Sequence, residues 1–417
     1  MTHDVILADD ITGACDSGIH FARAGKRTAL LLSRDAMKET FADHDVVVVS
    51  YESRFLEPAA AAEVAREAVR DCRRAGAKVA YKKIDSTLRG HPGAETEAIL
   101  QEDGFAAALV CSAMPKTGRL IRDGMLYLNG RPINEMDAGR DPFNPVTSAN
   151  VAEMLARQTA LPIANIGLEH VRAGVGSVRE TIKKLIASGN RILVADAVED
   201  GDLSLLALSL RPDCGDPSMP RILPVGAGGF AEALAGSHKA GADPEPSGRM
   251  LAVVGSLTST SMAQLEYATA HDGFRLLELD MEKAFADSDA ELKRLASLAT
   301  LDDRPLLLKN RVPPLGQMDP ADGTRAAAIF AAATRMVSTV AHCSILYASG
   351  GSTAMAILES LHLASITLER EYMPGVVLSS LPNNELGLRW FISKAGGFGA
   401  PETLVRLAEV TLQSTGK

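Results

Sequence analysis

Short apolar runs rich in β-branched residues recur along the chain, and several stop abruptly at polar residues. In the first half they are Val5–Leu7, Thr28–Leu32, Val46–Val49, Val79–Tyr81, Ala107–Cys111 and Ile192–Ala195. Runs this short, bounded by turn residues, read as buried strands. Ala-rich stretches with helical spacing, such as Ala59–Ala75, lie between several of them. Alternation of strand and helix predicts parallel βαβ units. A second series follows at Leu251–Val254, Leu276–Leu279, Pro305–Leu308 and Ile345–Ala348, with a helix over Thr324–Val340 leading into the last. The pattern predicts an α/β protein of two α/β domains with largely parallel sheets and a ligand cleft between them. The stretch Gly236–Arg249 holds two prolines among small polar residues and reads as a linker. The expected division is therefore a first domain over 1–236, a linker over 237–249 and a second domain over 250–417. Asp123–Val146 is dense in Gly, Pro and Asn and reads as a long loop or hairpin of the first domain. No internal sequence repeat stands out.

Composition narrows the class. With 417 residues, 46% of them hydrophobic and 23% charged, the chain is an ordinary globular sequence long enough for two cores. Aromatics are only 4%, so the core must be aliphatic. A net charge of -9 argues against a nucleic-acid partner, which needs clustered Lys and Arg. The five cysteines (Cys15, Cys72, Cys111, Cys214, Cys343) are odd in number and widely spaced, which suggests free thiols in a reducing compartment. Residues 1–20 run straight into a strand bearing Asp4, Asp9, Asp10 and Asp16, unlike a signal peptide. No run approaches the ~18 apolar residues of a membrane helix. A cytoplasmic protein without membrane contact is expected, and its residues are compatible with a homo-oligomer.

The chemistry concentrates where strands end. Val5 to Ala8 leads into Asp9 and Asp10, with Thr12, Gly13, Asp16 and Gly18 close behind. One Asp or Thr before a helix is an ordinary N-cap, but three carboxylates crowded at one strand end repel each other and point to a ligand. Tyr81 leads into Lys82, Lys83, Asp85, Ser86, Thr87 and Arg89, and Val46–Val49 leads to Arg54. Lys and Arg bind carboxylates, Arg through a planar two-toothed contact, and hydroxyl side chains suit a polyol. Asp9, Asp10, Arg54 and Lys82–Arg89 form the candidate site for a small hydroxylated acid, at the strand ends where open α/β sheets bind ligands.

In the second half, Gly255-Ser256, Gly350-Gly351-Ser352-Thr353 and Gly396-Gly397-Phe398-Gly399 each follow a strand or precede a helix. Unpaired N–H groups at helix starts hold phosphate, and three such turns suit ATP. Neither a Walker A motif nor G-x-G-x-x-G is present in these turns, so any nucleotide site is of another type. Trp390 and Phe391, just before the last turn, read as core.

These segments together resemble the four-carbon acid sugar kinases, which phosphorylate threonate, erythronate or 3-oxo-tetronate with ATP. The resemblance rests on Ala8-Asp-Asp-Ile-Thr-Gly-Ala-Cys-Asp-Ser-Gly, Ser53-Arg54 and Lys82-Lys-Ile-Asp-Ser-Thr-Leu-Arg-Gly. It continues through Met114-Pro-Lys-Thr-Gly-Arg, Gly124-Met-Leu-Tyr-Leu-Asn-Gly, Asp141-Pro-Phe-Asn-Pro-Val-Thr-Ser, Gly226-Ala-Gly-Gly-Phe-Ala and the later glycine turns. It implies an amino-terminal domain for the sugar acid and a carboxyl-terminal domain for the nucleotide. It puts Asp9, Arg54, Lys82, Lys83, Ile84 and Asp85 near the acid, and Ser256, Gly350–Thr353 and Gly396–Gly399 near ATP. The chain departs from the family pattern at Ser352, where an acid is usual, at His91-Pro92, where Asn-Ile is usual, and around Leu257–Ser261. The expected activity is phosphoryl transfer from ATP, with Mg2+, to a terminal hydroxyl of the acid. Asp9, Asp10, Asp16 and Asp85 are the candidate catalytic carboxylates, with Asp10 or Asp16 toward metal and Asp9 toward substrate. Ser86 and Arg89 complete the substrate set, in which Lys83 and Arg89 hold negative charge. A sensor that binds the acid and a nucleotide without reaction is the alternative. A nicotinamide-dependent dehydrogenase is less consistent with the missing dinucleotide fingerprint.

Overall fold

A computed structural model of the chain describes residues 3–141, 144–211, 218–236, 244–311 and 320–413. The chain divides into two compact units, Met1–Lys239 and Ala240–Lys417. Residues 237–243 of the expected linker, Pro142-Phe143 of one motif, and Cys214 lie outside the described residues.

In the first unit the apolar runs are strands: β1 (His3–Ala8), β2 (Thr28–Leu31), β3 (Val46–Ser50), β4 (Ala77–Lys83) and β5 (Ala107–Cys111). The expected hairpin region holds β6 (Arg119–Arg122), β7 (Met125–Leu128) and β8 (Arg131–Pro132), a small antiparallel sheet. β9 (Ile163–Ile166), β10 (Ile192–Ala195) and β11 (Ile222–Gly226) complete the set. The main sheet is parallel throughout, in the order β2-β3-β1-β4-β11-β5-β10-β9. β11 was not apparent as a strand because Pro224 lies inside it, and proline cannot donate to a ladder. It pairs with β5 along its whole length but with β4 only at Val225 and Gly226.

The connection from β1 to β2 runs one way across the sheet, and that from β3 to β4 runs the other. Right-handed crossovers then put their helices, Ile11–Arg23 and Pro58–Arg74, on opposite faces. Helix Ile11–Arg23 packs on helix Gly228–Ala235, and helix Pro58–Arg74 packs on helix Pro92–Asp103. The reversal of direction opens a crevice at the carboxyl ends of β1 and β4, the place where doubly wound sheets bind ligands. Val5, Ile6, Leu7 and Ala8 are fully buried between these layers, each large side chain contributing about 1.5–3 kcal/mol.

The second unit repeats the scheme. Its strands are β12 (Met250–Val254), β13 (Arg275–Leu279), β14 (Leu306–Asn310), β15 (Ile345–Ser349), β16 (Ser365–Met373), β17 (Val376–Ser380) and β18 (Trp390–Lys394). β13-β14-β12-β15-β18 are parallel, and β17 and β16 continue antiparallel beyond β18. The order of its first four strands matches that of the first unit, second-third-first-fourth, and places the reversal between β12 and β15. The core is mainly aliphatic, around Met250, Ala252, Leu265, Leu307, Tyr347 and Ile392. Phe391 is fully buried, and Trp390 packs against the core at the start of β18. The glycine turn leaves the other end of that strand, which keeps the indole away from it.

Among the described residues no helix is long and apolar enough to cross a membrane. Cys15, Cys72, Cys111 and Cys343 are buried, and none of them forms a disulfide among the described residues.

Candidate active site

Three adjacent strands build the first constellation. β3, β1 and β4 are parallel with Ala8 paired to both Ser50 and Lys83, so the segments that follow them emerge at one edge. β1 delivers Asp9 and Asp10, β3 delivers Arg54, and β4 delivers Lys82 through Arg89.

Asp10 is the N-cap of helix Ile11–Arg23. Its Oδ1 accepts from the Gly13 N–H at 3.0 Å and its Oδ2 from Thr12 Oγ1 at 2.6 Å. The capping role is therefore real, and Asp10 has a second role with it. Arg54 donates from Nε to Asp9 Oδ2 at 2.9 Å and from a terminal nitrogen to Asp10 Oδ1 at 2.8 Å. The same nitrogen lies 3.7 Å from Asp85 Oδ1. Arg89 forms a two-toothed contact with Asp85 at 2.9 and 3.0 Å and reaches Asp141 at 3.2 Å. Asp85 Oδ2 also accepts from the Thr87 hydroxyl and backbone N–H.

Side-chain alternation along β4 separates its two lysines. Lys83 points toward helix Ile11–Arg23, where its Nζ donates to the Ile84 carbonyl at 2.9 Å. An added Cβ at Gly13 would lie 2.7 Å from that Nζ and 2.6 Å from Asp10 Oδ1. Only glycine lets the helix start so close to both charges. We expect Gly13→Ala to keep the fold and lose activity by about tenfold or more, because displacement by a fraction of an ångström at a positioned charge is costly. Circular dichroism and steady-state rates check this.

Lys82 points the other way and is fully buried. Its Nζ lies 2.6 Å from Glu95 Oε2 and donates to the Lys83 carbonyl at 2.7 Å. Glu95, also fully buried on helix Pro92–Asp103, further accepts from Tyr51 Oη at 2.8 Å and Ser53 Oγ at 2.7 Å. One carboxylate thus ties the segment carrying Arg54 to the strand carrying Lys83. Removing one partner of a buried ion pair costs about 3–5 kcal/mol. We expect Glu95→Ala to lower stability by that amount in urea denaturation, and Glu95→Gln by clearly less.

The electrostatics divide the carboxylates. Burial raises Asp9 more than Arg54 and Lys82 lower it, so its carboxyl sits above the ordinary range. At Asp10 burial acts the same way, but Arg54, Lys83 and the Thr12 hydroxyl outweigh it and hold the group below that range. Burial also raises Asp16, against Lys83 and Arg119. Asp85 is held well below the ordinary value because Arg89 and Arg54 overcome its burial. Asp9 Oδ1 and Asp16 Oδ1 are buried oxygens with no hydrogen-bond partner among the described residues. Burial, then Asp10, pushes Glu52 up to about 8, and its backbone is left-handed at φ 46°.

The surrounding turn is fastened from outside. Gln158 donates to the Gly90 carbonyl at 3.0 Å and accepts from the Gly93 N–H at 2.8 Å. Asn144 donates to the Arg54 carbonyl at 2.9 Å. The His91 ring contacts the Leu56 carbonyl at 2.6 Å, and Pro92 opens helix Pro92–Asp103. Ile84 and Ser86 are buried beside Asp85.

The second constellation forms at the carboxyl ends of β12, β15 and β18. The N–H groups of Gly255 and Ser256 both donate to the Ser349 carbonyl, at 3.0 and 3.1 Å. Gly350 has φ 111°, and a Cβ there would lie 3.0 Å from Ser256 N. Helix Gly351–Ser360 then starts without a side-chain cap, leaving first-turn N–H groups for an anion. Ser352 is exposed and Thr353 buried on that turn. The Gly396–Gly399 turn is held by Gln264, which donates to the Phe398 and Ala400 carbonyls at 3.0 and 3.1 Å. Beside β12 lies a cleft of about 510 Å³ lined by Val254, Leu257, Met262, Leu265, Lys309 and Asn310, among others.

Every residue of the expected sugar-acid set thus lies at one sheet edge of the first unit, and every residue of the nucleotide set at one edge of the second. Glu95, Gln158 and the apolar cleft were not signalled: each is remote in sequence from the segment it serves, or looks like an ordinary helix or core residue. Asp141 and Asn144 stood out only as members of the motif over 141–148, without a role, and Glu52, two residues before Arg54, was given none.

A sugar-binding N-terminal domain matches residues 5–234, and a nucleotide-binding C-terminal domain matches residues 251–404. A D-threonate kinase of Salmonella typhimurium is 30% identical over 417 residues, covering 96% of each chain. A D-erythronate kinase of Heliobacterium modesticaldum is 30% identical over 422 residues, covering 96% of this chain and 94% of its own. A crystal structure from Salmonella typhimurium LT2 has the same fold, with a TM-score of 0.77 at 20% identity over 97% of this chain and 98% of that one. The chain belongs to the family of four-carbon acid sugar kinases.

Proposed function

We propose that this chain transfers the γ-phosphoryl group of ATP to a terminal hydroxyl of a four-carbon sugar acid, of the threonate, erythronate or 3-oxo-tetronate type. The observation that carries the reading is the pairing of an unpartnered, buried Asp9 Oδ1 with fixed cations at the crevice of a sugar-binding unit. Asp9 accepts the hydroxyl proton as the oxygen–phosphorus bond forms and the bond to the ADP oxygen breaks. Arg54 keeps Asp9 oriented through Oδ2, leaving Oδ1 for the substrate. Lys83 and Arg89 supply positive charge for the substrate carboxylate and for charge on the transferring group, where preorganised electrostatics contribute most of the rate. Lys82, tied to Glu95, positions Lys83 and Ile84.

In the second unit, the uncapped start of helix Gly351–Ser360 and the Ser256 and Gly396–Gly399 turns suit the phosphates, and the apolar cleft beside β12 suits the base. Mg2+ bound with the nucleotide would neutralise phosphate charge. The donor that fits it is Asp16 Oδ1, since Asp9 Oδ1 serves the substrate and hydrogen bonds from Thr12, Gly13 and Arg54 already occupy both oxygens of Asp10. The binding-only alternative finds no support among the relatives, which are named as kinases.

An ADP-release assay with ATP, Mg2+ and a panel of four-carbon acids tests the reading. Release that depends on one acid supports it, and no release with any acid overturns it.

A further inference from the structure

Lys394, the last residue of β18, is fully buried. Its Nζ donates to the Gly396 carbonyl at 2.9 Å and to Ser261 Oγ at 3.1 Å. The Gly396 carbonyl also accepts from Thr258 Oγ1 at 2.9 Å and Ser261 Oγ at 3.1 Å. Three donors from two segments therefore converge on one carbonyl and fix where the Gly396–Gly399 turn leaves the sheet. Ser349 and Val376 pair with Lys394 from β15 and β17. The groups that face it from those strands, from helix Ser259–Ala270 and from the turn are thus Ser349, Val376, Ser261 and a carbonyl. None of them is charged or titrates in the working range. A buried amine without a counter-charge is expensive to keep protonated.

We propose that Lys394 is the positioning cation of the nucleotide site, locking the Gly396 turn against Ser261 and Thr258 and supplying a positive charge that an incoming phosphate chain completes. This rests on the reading of the second unit as the nucleotide-binding one.

Two features support it beyond the hydrogen bonds. The turn it locks is one of the three assigned to phosphate, and among the described residues no carboxylate faces the amine that would already have neutralised the charge. Burial alone brings the Lys394 amine down to about 7, so the free protein holds it part-neutral near neutral pH. An anion bound nearby favours the ammonium form. Binding then draws a proton onto Nζ.

The test is calorimetric titration of the full chain with ADP, in buffers of different ionisation enthalpy, from pH 6.5 to 9. Wild type is expected to take up close to one proton per ADP at pH 8. Its affinity should weaken by up to tenfold per pH unit above about 7. Lys394→Met should keep its melting temperature, bind ADP at least tenfold more weakly at pH 6.5, take up no such proton, and converge with wild type by pH 9. ADP binding in wild type without proton uptake, or a Met variant with unchanged affinity and uptake, overturns the proposal while leaving the nucleotide reading intact. A wild-type chain that binds no ADP overturns both. Should Lys394→Met not fold, the wild-type uptake and pH profile decide the matter alone.

Discussion

Replacing Asp9 by Asn lowers turnover by about 10²–10⁴-fold, the usual contribution of a positioned general base, while the protein stays folded. Asn keeps the shape and an oxygen for Arg54 but cannot take the hydroxyl proton. The fold tolerates the change because burial already favours the neutral form at this position. Wild-type turnover should fall as pH drops through the raised Asp9 value, since the base must be ionised, and this acidic limb should be missing in Asp9→Asn. The check is ATP-dependent phosphorylation across pH, with thermal melts alongside. Equal turnover in the two proteins removes Asp9 from the mechanism.

Replacing Arg54 by Met affects both activity and stability. The guanidinium lies against Asp9, Asp10 and, at 3.7 Å, Asp85, so its loss leaves buried carboxylates without their cation. Such a break costs about 3–5 kcal/mol, and turnover should fall at least 10²–10³-fold, as on loss of a preorganised charge. The pH dependence has a definite sign. Without Arg54 the folded-state value of Asp9, already raised, rises further, and that of Asp10 rises above the unfolded value near 3.9. A carboxyl raised on folding binds more protons when folded, so its stability contribution is lost as pH rises. The stability deficit relative to wild type should therefore be largest at neutral pH and shrink toward pH 5. Urea denaturation of both proteins at pH 5 and 7.5 measures it, and an equal deficit at both would show that packing, not charge, sets the loss.

The sequence made the tips of β1, β3 and β4 legible because each apolar run gives way to charge, at the next residue after Ala8 and Tyr81 and within five residues, at Arg54, after Val49. The same contrast exposed the three glycine turns of the second half. Lys82 and Lys83 look alike in sequence, and only the alternation of a strand sends one to Glu95 and the other to Asp10's side. Glu95 sits in an ordinary helical stretch, 42 residues from Ser53, with nothing local to mark it. Lys394 reads as a strand end, and its meaning comes from Ser261, 133 residues earlier. β11 was hidden by Pro224, and the β16–β17 hairpin because antiparallel pairing was not expected in a parallel pattern.

β1 is laddered on both sides, to β3 and to β4. Its amides can exchange with solvent only when a large part of the unit opens, whereas loop amides exchange through local fraying. A sugar acid held at the tip of this strand would therefore stabilise the whole cooperative unit by mass action. Its arrival should register as slowed deuterium uptake deep in the sheet, across Val5–Leu7, far from the atoms it touches.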